Sequence, residues 1–93
     1  MTSNDLIGRV VYSKSGRDED RAFIIVNIID ENYVYISDGD LRPFEKPKKK
    51  KVKHLNITDI TVEEFSTLFE QGDKISNREI KRFLQSMNSN KEV

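Results

Sequence analysis

Lys46-Pro47-Lys48-Lys49-Lys50-Lys51-Val52-Lys53-His54 is where the chemistry of this chain is concentrated. Six ammonium groups within nine residues repel one another, and a polyanion that neutralises them relieves the repulsion. Each phosphate so neutralised releases condensed counterions, and even five contacts give strong, salt-sensitive binding of RNA or DNA. The plain alternative is a solvated run that only aids solubility. The single sign of the run, in an otherwise acidic chain, favours binding. A nuclear import signal has a similar composition over residues 47–53, and it has meaning only in a nucleated cell.

Other groups offer less. Lys14 and Arg17 flank Gly16 in a polar loop. A glycine there allows positive φ and lets backbone amides approach a phosphate, but it serves an ordinary turn equally well. Tyr12, Tyr33, Tyr35 and Phe44 have faces on which unpaired bases stack. Rings on strands more often fill a core, so the function is not rested on them. Catalysis is poorly served: one His, no Cys, no Gly-rich phosphate loop and no Ser elbow leave few nucleophile–base pairs. Asp18, Glu19 and Asp20 are consecutive and point apart on a strand. Asp38 and Asp40 flank Gly39 without the other positions of a Ca²⁺ loop. Both sets read as turn and solvation residues. His54 has no partner at ligand spacing and reads as a surface or phosphate contact. No catalytic residue, metal site or cofactor is expected.

The elements that must position the lysines follow from the rest of the sequence. At 93 residues there is room for one domain. The 16 Lys and Arg balance 16 Asp and Glu, yet residues 1–45 are net −4, residues 46–54 net +6 and residues 55–93 net −2. Seventeen Ile and Val against a single Ala favour pleated, β-branched packing. Strand-like runs lie at residues 6–12, 21–29, 33–36, 41–44 and 52–57, with Pro43 demanding an edge or bulge. The second run is apolar on both faces and needs cover on both. Asp38-Gly39 is a two-residue hairpin signal. About five short strands suggest a small barrel, whose closure would hide the edges of so Ile-rich a sheet.

From residue 61 the period becomes helical. Thr61-Val62-Glu63-Glu64 forms a capping box, Val62, Phe65, Leu68 and Phe69 form one apolar stripe, and Gly72 is a natural C-cap. The device repeats at Ser76-Asn77-Arg78-Glu79, ahead of Ile80, Phe83, Leu84 and Met87. The expected organisation is a barrel over residues 5–57 containing the Lys-rich segment 46–54. A helical extension, 58–88, packs on it, and a flexible tail, 89–93, ends it. No apolar run approaches the roughly 18 residues of a membrane span, and the first residues are not a signal peptide, so a soluble cytoplasmic protein is expected.

Ile7-Gly8-Arg9-Val10-Val11-Tyr12-Ser13-Lys14-Ser15-Gly16-Arg17-Asp18 resembles the KOW motif, a strand–glycine loop–strand unit of several ribosomal proteins and transcription elongation factors. Joined to Asp38-Gly39-Asp40-Leu41-Arg42, Lys46-Pro47-Lys48-Lys49 and Lys53-His54-Leu55, residues 5–57 look more closely like one bacterial family. Its members are small KOW-domain RNA-binding proteins related to a eukaryotic and archaeal large-subunit ribosomal protein. The resemblance implies an SH3-like β-barrel, here followed by two short helices, and binding to structured RNA, ribosomal RNA or the ribosome foremost. Gly16 falls on the motif's glycine, with Lys14 and Arg17 in its RNA-facing loop. Arg42, Lys46, Lys48, Lys49, Lys50, Lys51, Lys53 and His54 complete the expected contacts. One departure is the acid at Asp20, near a position where related sequences commonly have a second Gly; it would repel phosphate. The expectation is therefore a non-catalytic RNA-binding protein. The alternative is a protein-interaction module, an SH3-like adaptor of the transcription or translation machinery, using its aromatic residues or its C-terminal helices.

Overall fold

The Ile- and Val-rich runs pair as the strands they favour. The computed structural model describes residues 6–14, 21–72 and 75–91. In it β1 (Arg9–Ser13), β2 (Ala22–Ile28), β3 (Tyr33–Ser37), β4 (Lys48–Lys51) and β5 (Leu55–Thr61) form one antiparallel sheet, ordered β4-β3-β2-β1-β5. Two helices follow, α1 (Glu63–Glu70) and α2 (Asn77–Lys91). This is the expected mainly β, SH3-like architecture.

Connectivity forces the sheet to curl. Laid flat, five strands would hold β4 and β5 about 19 Å apart. Only a 3-10 turn, Val52–His54, separates Lys51 from Leu55, and four Cα steps reach at most about 14 Å. Two backbone bonds anchor the ends of that turn to the neighbouring strands: the Val52 N–H donates to the Asn32 carbonyl at 2.8 Å, and the Lys14 N–H to the His54 carbonyl at 2.8 Å. Full closure, however, is not reached. Among the described residues no ladder joins β4 to β5, and both remain edges. On β5 the register runs from Val11↔Ile57 to Arg9↔Thr61, so three residues bulge opposite Val10.

Both faces of β2 are buried, as its sequence requires. Phe23 and Ile25 join Val11, Val34, Ile36 and Leu55 inside the curl. Ala22 and Ile24 join Val10 on the outside, where Phe65, Ile75, Ile80 and Leu84 cover them. Phe65 and Phe83 meet edge to face at 6.2 Å. Ile80 is fully buried, and burial of that size contributes about 2 kcal/mol.

Three local expectations are corrected. First, β1 starts at Arg9 rather than Leu6, because Gly8 turns the chain at φ +83°. Its N–H donates to the Ile25 carbonyl at 2.8 Å, and its carbonyl accepts from the Val62 N–H at 2.9 Å.

Second, residues 41–44 are not a strand, and Asp38-Gly39 does not make a two-residue hairpin. Asp38 Oδ1 accepts from the N–H groups of Asp40 (2.9 Å) and Arg42 (2.8 Å), closing an Asx turn. The fourth strand is the lysine run itself. Pro43 cannot donate to a ladder, whereas extended lysines alternate between faces and so separate their charges. Asp38 is buried and also meets Arg21, with Nη2 to Oδ2 at 3.2 Å. Since Arg21 is substantially exposed, the two backbone bonds carry more of the stability than the ion pair. Asp38→Ala should therefore cost about 2 kcal/mol in urea unfolding, and Asp38→Asn, which keeps an acceptor oxygen, about half of that.

Third, Thr61 stays in β5 opposite Arg9 instead of capping α1. The helix begins at Glu63, and the Val62 carbonyl accepts from the Ser66 N–H at 3.0 Å. At the second candidate capping box Ser76 caps α2, with the Glu79 N–H donating to Ser76 Oγ at 3.2 Å.

Candidate nucleic-acid interface

β4 lays four lysines along an edge of the sheet. The register Tyr33↔Lys51, Val34↔Lys50, Tyr35↔Lys49 and Ile36↔Lys48 sorts them by face. Lys48 and Lys50 stand opposite Ile36 and Val34, which point into the curl, and both lysines are half-buried. Lys49 and Lys51 share the outer face with the two tyrosines. There the Lys49 Nζ lies 4.7 Å from the centre of the Tyr33 ring, and the Lys51 Nζ 5.8 Å from it. Contacts of this kind are worth about 0.5–1 kcal/mol at exposed sites, enough to bias where the ammonium groups rest.

The 3-10 turn carries the charge onward. Lys53 and His54 are exposed there. Lys14, also exposed, is tied to His54 through a backbone bond that anchors the end of the turn. Lys14, Lys51, Lys53 and His54 thus gather where β4 passes into β5. Gly16 and Arg17, and with them Asp20, lie outside the described residues. On either side of them, Lys14 is bonded to His54, and the Arg21 carbonyl accepts from the Ser13 N–H at 3.1 Å.

Arg42 and Lys46 sit apart from that group, in the connection from β3 to β4. Arg42 is half-buried, and its carbonyl accepts from the Asp38 N–H at 3.0 Å and from Ser37 Oγ at 2.7 Å. It helps build the turn. Lys46 is exposed, with its N–H donating to the Pro43 carbonyl at 3.0 Å.

The start of α2 braces this connection. Asn77 Oδ1 accepts from the Phe44 N–H at 2.6 Å, and its Nδ2 donates to Glu45 Oε1 at 2.8 Å. Lys81 reaches Asp40 at 3.5 Å. Arg78 and Arg82 are exposed on the same helix. Sequence reasoning did not single out these helix cations, and it missed the Tyr33–lysine contacts because strand register was needed to see them. A cleft lined by Glu31, Asn32, Tyr33, Lys51, Val52 and Lys53 adjoins the edge. Among the described residues no cluster of His, Cys, Asp or Glu could hold a metal ion. Likewise no helix among them is long and apolar enough to cross a membrane.

A curled SH3-like sheet with a lysine edge defines the class. Comparison with known proteins then bears out the ribosome-related resemblance. The chain is similar to the large ribosomal subunit protein eL14 of Desulfurococcus amylolyticus, 38% identical over 56 residues that cover 60% of this chain and 58% of the relative. It is similar to eL14 of Pyrobaculum arsenaticum, 37% identical over 57 residues, covering 61% and 55%. It is also similar to the Bacillus subtilis protein YbzG, provisionally named for ribosome binding, 28% identical over 72 residues that cover 77% and 97%. The chain thus spans little more than half the length of the archaeal relatives it matches. No family model matches it.

Proposed function

We propose that this protein binds structured RNA of the ribosome without catalysis, using β4 and the 3-10 turn as its contact surface. The observation that carries this reading is the placing of Lys48, Lys49, Lys50 and Lys51 on an edge strand, in a chain whose other segments are net acidic. A row of cations on a rigid strand meets phosphates without first having to be ordered, which lowers the entropic cost of binding. The acidic remainder repels RNA elsewhere and so sets orientation. Double-stranded or folded RNA suits such a surface, because backbone and shape are what it can read. Relatives named as ribosomal and ribosome-binding proteins support the choice of ribosomal RNA, and with it a cytoplasmic location. Arg42 and Lys46 extend the contact toward α2, while Lys14, Gly16 and Arg17 extend it along the loop after β1.

Sedimentation of lysate tests this directly. The protein should travel with ribosomes at about 50 mM salt and be released at about 200 mM or above, where several phosphate contacts lose orders of magnitude in affinity. A salt-resistant complex with one protein would instead support the adaptor function.

A further inference from the structure

Phosphate binding explains the lysines but not the ring between two of them. Tyr33 is half-buried where the lysine edge meets the cleft lined by Glu31, Asn32, Lys51, Val52 and Lys53. The backbone beneath that cleft is pinned. The N–H groups of Asn32 and Tyr33 donate to Asp30 Oδ1 at 2.8 and 2.9 Å, and the Asn32 carbonyl accepts from the Val52 N–H at 2.8 Å. A fixed aromatic wall, an apolar Val52 and three nearby ammonium groups are complementary to one nucleotide and its phosphates.

We propose that this cleft takes a single unpaired nucleotide of the bound RNA, its base against Tyr33 and its flanking phosphates on Lys49, Lys51 and Lys53. The inference rests on the RNA-binding reading and adds to it a distinction between paired and unpaired RNA. Lys49 and Lys51 cover the ring at 4.7 and 5.8 Å in the free protein. An exposed ammonium–ring contact is weaker than the stacking of a base on an aromatic side chain. Phosphates arriving with the nucleotide draw the two ammonium groups aside, and the base replaces them. Glu31, exposed at the rim, repels phosphate and holds the backbone to the lysine side. With Asn32 it also offers hydrogen-bonding groups to a base edge.

Two RNA hairpins, identical except for one bulged adenosine, provide the test by fluorescence anisotropy with the full chain. The bulged hairpin should bind about tenfold more tightly than the paired one. Tyr33→Leu should lose that preference while keeping the affinity for the paired hairpin, and Tyr33→Phe should retain both. Equal binding of the two hairpins by the unaltered protein would overturn the nucleotide site and leave the phosphate-binding edge standing. Equal weakening on both hairpins by Tyr33→Leu, with its circular dichroism unchanged, would also overturn it, reducing Tyr33 to a support for the lysines. Binding of neither hairpin would remove the RNA-binding reading itself.

Discussion

Gly39→Ala should lower the stability by more than about 3 kcal/mol, the largest loss expected from removing no interaction at all. Gly39 has φ +74°, and a Cβ added there would stand 2.3 Å from the Asn77 carbonyl oxygen and 2.9 Å from the Lys81 nitrogen. Both are backbone atoms of α2, so no rotamer change relieves the clash. The helix must move, and Ile80 and Leu84, buried against the sheet, must move with it. For a domain of this size the fall in melting temperature should be about 12–24 °C. Gly72→Ala isolates the cause. Its φ of +79° imposes a similar backbone strain, yet a Cβ there meets nothing within 4 Å, and the cost should be about 1 kcal/mol. Equal losses in the two variants, followed by thermal unfolding, would refute the close packing of α2 on the turn.

Replacing Lys48, Lys49, Lys50 and Lys51 together with Gln should reduce RNA affinity at about 50 mM salt by at least a hundredfold. Glutamine keeps a polar stem of similar reach and the backbone ladder of β4 with β3, so the sheet should survive. Removing four like charges also removes their repulsion, and the melting temperature should hold or rise. The informative quantity is the slope of log affinity against log salt. Each neutralised phosphate contributes about 0.7–0.9 to it, and the quadruple variant should lose about 3. An unchanged slope would sink the electrostatic mechanism even if affinity fell.

Local chemistry made much of this fold legible. Ser76 and Glu79 announce the start of α2, and the two-faced apolar run of β2 announces cover on both sides. The misreadings arose where a distant partner decided between local options. Asp38-Gly39 serves a hairpin and an Asx turn alike, and the segment pressing on Gly39 lies nearly forty residues away in sequence. Thr61 is a good cap, but its pairing with Arg9 keeps it in the ladder. Four lysines carry no strand signal of their own, since Lys is depleted in strands; pairing with β3 makes them one. The electrostatic address of the candidate site was readable because counterion release depends on how many charges cluster. Its geometry was not, because the contact of Tyr33 with Lys49 and Lys51 exists only in one register.

Among the described residues the sheet curls without a ladder between β4 and β5, which leaves each of them as an outer strand. On β5 the bulge opposite Val10 spoils the edge as a template. On β4 the lysines do so, because a second copy approaching that edge meets four like charges before any hydrogen bond can form. The charges proposed to meet RNA therefore also keep copies of the protein apart. Neutralising them bares a strand edge, so under the proposed function a bound RNA must cover the strand whose charges it removes.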